Sequence, residues 1–243
     1  MKTPTLVLVH GAGGGAWTWE LVVPALDDLG CAHRELDLPS SSASPPPGAG
    51  VASDVAAVRT VLDELTGPVV LVGASYGGVV ISAAAVDRPA VARLVYVAAY
   101  MPEPNVPIRE QLIPSDDFIA ALSAAAARQP TEPRALDPAI AARFVFPQAD
   151  PELAQQAIAR MRPMVLSDAD MMLPSVAWQT IPSTYIVCTE NRMIPPDYQR
   201  RCATERATAR IEVPYDHAPT RSHPKELAEV LAEIAGQVPD RSG

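Results

Sequence analysis

Pro68-Val69-Val70-Leu71-Val72-Gly73-Ala74-Ser75-Tyr76-Gly77-Gly78 joins an apolar run to a G-x-S-x-G pattern, and the helical run Val79 to Val86 follows. A continuous apolar run of this length reads as a buried strand, so Ser75 falls where a strand turns sharply into a helix. Glycine on either side lets the backbone turn tightly enough to push a serine hydroxyl out above a sheet. Five letters alone arise by chance in a chain rich in Gly and Ser. The strand before them and the small residues after them give the pattern its weight.

Working outward, strand and helix signals alternate. Thr5 to Val9 is an apolar run that ends in the glycine-rich loop His10-Gly11-Ala12-Gly13-Gly14-Gly15. Trp17, Leu21, Val22, Ala25, Leu26 and Leu29 recur at helical spacing, with Gly30 as the stop. Ala32 to Leu38 reads as a second strand, followed by a Pro- and Ser-rich surface loop over 39–48. Val51, Val55, Val58, Val61, Leu62 and Leu65 mark a helix, and Arg93 to Ala99 the strand after the serine unit. Between Met101 and Ile181 the rhythm breaks into helical pieces near 116–127, 138–143 and 151–161, separated by prolines. It resumes with strands at Ser183–Cys188 and Ala209–Val213 and helices near 196–206 and 224–235.

An alternating β-α series predicts an α/β fold whose mostly parallel sheet carries helices on both faces. Residues 1–100 and 182–243 form the expected core domain. The stretch 101–181 is an expected helical cap, inserted after the strand ending near Ala99 and lying over the strand C-terminal ends, where such sheets bind ligands. A chain of 243 residues fits one such domain with an insertion.

Bulk properties narrow the function classes. A formal charge of -9 without clustered Lys or Arg argues against a nucleic-acid partner. The longest apolar stretches are strand-sized, which argues against a membrane partner. The start Met1-Lys2-Thr3-Pro4 reaches His10 and Gly11 before a signal-peptide core could form, so a cytoplasmic location is expected. Cys31, Cys188 and Cys202 show neither a C-x-x-C pair nor metal spacing and read as packed thiols. No G-x-x-x-x-G-K-[ST] accompanies the first glycine loop and no acidic ribose ligand follows it, which argues against a nucleotide; no cofactor and no metal are expected. The expected partner is a small-molecule substrate; assembly as a homodimer is compatible with the sequence.

Of four histidines, His217 stands in the loop after the last strand and before the last helix, where the chain order Ser, acid, His puts a base. His10 reads as shaping the glycine loop, His33 as a strand residue, and His223 as a helix-entry residue before Pro224. A serine activated by a base also needs two N–H donors for a developing oxyanion. The N–H groups of Tyr76, after the serine, and Ala12, in the first loop, are the best-placed pair.

Four stretches carry a resemblance: His10-Gly11-Ala12-Gly13-Gly14-Gly15-Ala16-Trp17-Thr18-Trp19, the Ser75 elbow, Tyr96-Val97-Ala98-Ala99-Tyr100-Met101-Pro102, and the His217 loop. Together they resemble the methylesterase and hydroxynitrile-lyase branch of the α/β-hydrolase superfamily over nearly the whole chain. The resemblance implies an α/β-hydrolase fold, Ser75 as nucleophile, His217 as base, and Ala12 and Tyr76 as oxyanion donors. It also implies an aspartate after the strand Thr184 to Cys188, where this chain has Thr189-Glu190-Asn191-Arg192. Glu190 swinging in as the orienting carboxylate, Asn191 orienting His217 through its side-chain oxygen, and another acid such as Asp216 are three alternatives.

The leading expectation is a serine hydrolase, of esterase or lactonase type, acting on a small, largely apolar ester. Lyase, cyclase or eliminase chemistry with Ser75 and His217 as general base is the second class. Cyanohydrin cleavage is disfavoured: lyases of the family tend to carry threonine at the position of Gly11 and lysine at that of Ala218. The third class is a non-catalytic small-molecule binder.

Overall fold

The computed structural model describes residues 3–128, 135–165, 168 and 171–238. The chain start at Met1 and Lys2 lies outside them, as do 129–134 and four more residues (166, 167, 169 and 170) of the expected cap. Six strands, β1 (Thr5–Val9), β2 (His33–Glu35), β3 (Val69–Ala74), β4 (Val91–Val97), β5 (Ser183–Cys188) and β6 (Ala209–Val213), form one sheet in the order β2-β1-β3-β4-β5-β6. Every pairing in it is parallel. The ten helices of the described residues are α1 (Val23–Asp28), α2 (Val51–Glu64), α3 (Gly77–Ala84), α4 (Ile108–Gln111), α5 (Asp116–Arg128), α6 (Pro138–Phe144), α7 (Pro151–Arg160), α8 (Pro196–Arg206), α9 (Pro219–Ser222) and α10 (Pro224–Gly236).

Period-two alternation explains how one run of apolar residues builds two cores. Val7, Val9, Val69, Leu71, Tyr96 and Tyr185 face one side, where they pack with Val58 and Leu62 of α2, Val80 of α3 and Cys202 of α8. Leu6, Leu8, Val70, Val72, Val95 and Ile186 face the other, against Leu26 of α1 and Leu227, Leu231 and Ile234 of α10. Both faces of the central strands are therefore dry, which is why β1 and β3 read as unbroken apolar runs.

Three expectations shift. The helix expected over Trp17 to Leu29 is a 3₁₀ turn, Ala16–Trp19, followed by the short α1 with Pro24 in its first turn. Pro24 has no N–H to continue an earlier helix, so the turn has to end before it. The strand expected over 32–38 pairs only over His33–Glu35, at the sheet edge. Leu38 instead gives its N–H to His10 Nε2 at 3.0 Å. The fourth strand spans Val91–Val97 and stops before Ala98, a residue with φ of 46°.

The segment between β4 and β5 holds α4 to α7 and is tied to the sheet's upper loops. Asp168 accepts from the N–H groups of Val51 and Ala52 at the start of α2, 2.8 and 2.9 Å. Val165 N–H bonds the Ser40 carbonyl at 2.9 Å, and Arg162 N–H bonds the Gly13 carbonyl at 2.9 Å.

The turn from β3 into α3 rests on a backbone contact. A Cβ on Gly73 would stand 2.6 Å from the Gly77 carbonyl oxygen and 2.9 Å from the Gly78 nitrogen. Because those are main-chain atoms, Gly73→Ala forces the strand and helix apart. We expect a loss of about 1–3 kcal/mol, read as a lower urea midpoint; an unchanged midpoint would contradict this packing.

Candidate active site

Ser75 occupies the turn between β3 and α3 with φ of 52°, left-handed for a residue that carries a Cβ. Such a conformation costs on the order of 1–3 kcal/mol and survives only where neighbours over-determine it. Here Ser75 N–H bonds the Val97 carbonyl, while Gly78 and Tyr100 N–H groups both bond the Ser75 carbonyl, each at 3.1 Å. With the backbone clamped on both sides, Ser75 borders a cavity of about 690 Å³.

His217 follows β6 and is buried beside it. Its Nε2 lies 3.1 Å from Ser75 Oγ. Burial pushes the imidazole down to a pKa of about 4, so the ring is neutral at pH 7. Its other nitrogen, Nδ1, lies 3.1 Å from Asn191 Nδ2, and Asn191 is itself buried in the loop after β5.

The three alternatives for the acid position now separate. Glu190 is exposed, and its backbone N–H bonds the Tyr215 carbonyl at 3.0 Å. The turn after β5 buries Asn191 beside His217 and leaves Glu190 at the surface, so the structure does not bring Glu190 to the ring as the group that swings in. Asp216 is buried, but its carboxylate accepts from Gln148 N–H, Ala218 N–H and Ser222 Oγ at 2.8–3.1 Å. It anchors the His217 loop to the inserted segment. Asn191 does meet His217, with a correction: the side-chain oxygen expected at the ring accepts instead from Met193 and Ile194 N–H at 2.9 and 3.0 Å.

The glycine loop after β1 is pinned by His10. His10 Nδ1–H donates to the Gly11 carbonyl at 2.7 Å, and its Nε2 accepts the Leu38 N–H. Burial lowers this imidazole also to about 4, keeping it neutral. Gly14 N–H adds a second bond to the Gly11 carbonyl, 3.2 Å. In a trans peptide the carbonyl and the following N–H point to opposite sides, so fixing Gly11 O fixes the Ala12 N–H. Ala12 borders the same cavity as Ser75. Among the described residues no backbone hydrogen bond uses the N–H of Ala12 or Tyr76.

Sequence reasoning missed Asp54. This buried carboxylate accepts from Ser40 N–H at 2.9 Å, Ser40 Oγ at 2.6 Å and the Tyr76 hydroxyl at 2.8 Å, and burial raises its pKa. It thereby tethers the residue after the serine to α2. The available signal was its position three after Val51 and four before Val58, a lone acid on an apolar helix face.

The cavity walls come from both parts of the chain. Phe118, Ile140, Phe146 and Met161 of the inserted segment face Ser75 and His217 of the sheet loops, and the lining is mainly apolar. At one wall, Arg221 and Arg160 share Glu20, each at 2.7 Å, and their guanidinium groups lie 5.3 and 4.6 Å from the Trp17 ring centre. Among the described residues no group of three or more His, Cys, Asp or Glu could hold a metal ion, and no helix is long and apolar enough to cross a membrane.

Comparison with known proteins agrees with this architecture. Alpha/beta hydrolase nvfD of Aspergillus novofumigatus is 28% identical over 98% of this chain and 98% of its own. Methylesterase 7 of Arabidopsis thaliana is 28% identical over 94% of this chain and 95% of its own. For Salicylic acid-binding protein 2 of Nicotiana tabacum the values are 27%, 94% and 96%. Among solved structures, polyneuridine aldehyde esterase superposes with a TM-score of 0.78 at 20% identity, covering 96% of this chain and 100% of that one. An extracellular alpha/beta-hydrolase from a Paenibacillus species gives 0.80 at 20%, covering 95% and 98%. The model of the Alpha/beta hydrolase family matches residues 6–230, almost the full length, and the chain belongs to that family.

Proposed function

We propose that this protein is a serine hydrolase acting on a small, largely apolar ester or lactone held between the sheet and a cap formed by residues 101–181. The observation that carries the reading is the 3.1 Å contact between His217 Nε2 and Ser75 Oγ on a strained strand-to-helix turn that opens into an apolar cavity. Relatives named as methylesterases support the ester class. Three free cysteines support a reducing, cytoplasmic setting.

In this reading Ser75 Oγ attacks the ester carbonyl and its proton passes to His217 Nε2. The N–H groups of Ala12 and Tyr76 receive the negative charge that develops on the carbonyl oxygen. His217 then protonates the departing alcohol, and water attacks the acyl-serine by the same route in reverse. The buried tethers at His10 and Asp54 hold the two N–H donors in place before substrate arrives, so little reorganisation accompanies charge development.

The imidazolium formed in each step meets Asn191 instead of a carboxylate, so turnover is expected to be slow. That same contact motivates a second reading, elimination or cyclisation without an acyl-enzyme. Covalent chemistry separates the two. A fluorophosphonate probe is expected to label the wild type and leave Ser75→Ala unlabelled; a folded wild type that resists labelling would remove the hydrolase reading.

The pH dependence has a defined sign. A base whose pKa is lowered stays competent to lower pH, so ester turnover should fall on the acid side with a midpoint near 4, where His217 gains its proton. A midpoint near 6.5, the ordinary histidine value, would place the rate-controlling base elsewhere.

A further inference from the structure

The Asn191 amide has two ends, and its neighbours decide which end meets His217. Asn191 Oδ1 lies 2.9 Å from Met193 N and 3.0 Å from Ile194 N, and a backbone N–H can only donate. Turning the amide over would set its NH₂ against both donors, losing two hydrogen bonds and leaving two N–H groups unsatisfied. The oxygen is therefore committed to the loop backbone. What remains to face the ring, at 3.1 Å from Nδ1, is an NH₂ that can only donate.

His217 Nδ1 must then be the acceptor and carry no proton. A neutral imidazole holds one proton, so that proton resides on Nε2. Nε2–H donates to Ser75 Oγ across their 3.1 Å contact. Among the described residues no other side chain competes for Nδ1: Asp216 is committed to Gln148, Ala218 and Ser222, and Arg221 to Glu20.

We propose that Asn191 is a positioning residue that locks His217 in its Nε2–H tautomer and so holds Ser75 in an unactivated resting state. The nitrogen that must take the serine proton already bears one. Attack first requires the ring to lose the Nε2 proton and gain one at Nδ1 through solvent, which turns two donors, Nδ1–H and the Asn191 NH₂, toward each other. In the resting site the Ser75 hydroxyl accepts from His217 and keeps its own proton for a ligand oxygen. The proposal rests on the hydrolase reading only for its kinetic consequence, since the tautomer belongs to the free protein.

Asn191→Asp tests that consequence. One carboxylate oxygen can still accept from Met193 and Ile194 N–H, and the other now accepts from Nδ1–H, freeing the Nε2 lone pair toward Ser75. The acid-to-amide change in a serine-protease triad lowers turnover about 10⁴-fold, so the reverse change should raise the rate of fluorophosphonate labelling by roughly 10²–10⁴-fold. An unchanged rate in a folded Asn191→Asp protein would mean that Asn191 only caps its loop, and would overturn the proposal. Nitrogen-15 NMR of the wild type labelled at its histidine rings reads the tautomer without any variant. Nε2 bearing the proton and Nδ1 bare is the expected result, and a proton on Nδ1 overturns the proposal whatever the labelling shows. A bare Nδ1 in a protein that no probe labels would instead sink the hydrolase reading and leave the tautomer assignment standing.

Discussion

The backbone of Ser75 is the constraint from which the rest of the site follows. A side-chain-bearing residue is held at φ of 52° because strand β3 and helix α3 touch main chain to main chain at Gly73 and Gly77. That contact leaves no other path for the chain between them. The hydroxyl consequently projects above the sheet edge, and every other participant is brought to it by a loop at the same end of a parallel strand: His10 to Gly15 after β1, Asn191 after β5, His217 after β6. A parallel sheet gathers these loops at one edge because all strand C-termini point the same way.

The inserted segment completes the site by binding to those loops more than to the sheet. Gln148 bonds Asp216 beside the His217, Arg162 bonds Gly13 in the glycine loop, and Asp168 caps α2. Arg160 shares Glu20 with Arg221 around Trp17. Two of these ties, Gln148 to Asp216 and Arg162 to Gly13, reach the loops that hold His217 and Ala12 at the cavity. Cavity shape and loop geometry are thus coupled mechanically, and a change in one strains the other.

Much of this was legible in the sequence. Buried parallel strands write themselves as unbroken Val and Leu runs, and the glycines around Ser75 record a close approach that no other residue permits. The His217 loop was readable from chain order. The less visible features depend on partners distant in sequence. The edge strand β2 is short because Leu38 N–H is drawn off to His10, a competition between residues 28 apart. Asp54 sits on an apolar helix face, yet its hydrogen-bond donors, Ser40 and Tyr76, come from two other elements. The orientation of the Asn191 amide is set by the main chain two and three residues onward, and residue type alone does not carry that information.

Two buried histidines show how one side chain can be given opposite proton placements without any change of pH. His10 faces a carbonyl through Nδ1 and an N–H through Nε2, so its proton sits on Nδ1. His217 faces an amide NH₂ through Nδ1, which makes that nitrogen an acceptor. The difference between an uncharged and a charged partner at that nitrogen is the hydrolysis of one amide, with water consumed and ammonia released. Direct hydrolysis of the Asn191 amide would leave a carboxylate on the same carbon skeleton, whereas the commoner succinimide route opens mostly to isoaspartate and reroutes the main chain. The buried loop that commits the amide oxygen to Met193 and Ile194 thus also fixes which chemical change, and no other, would put a charge beside His217.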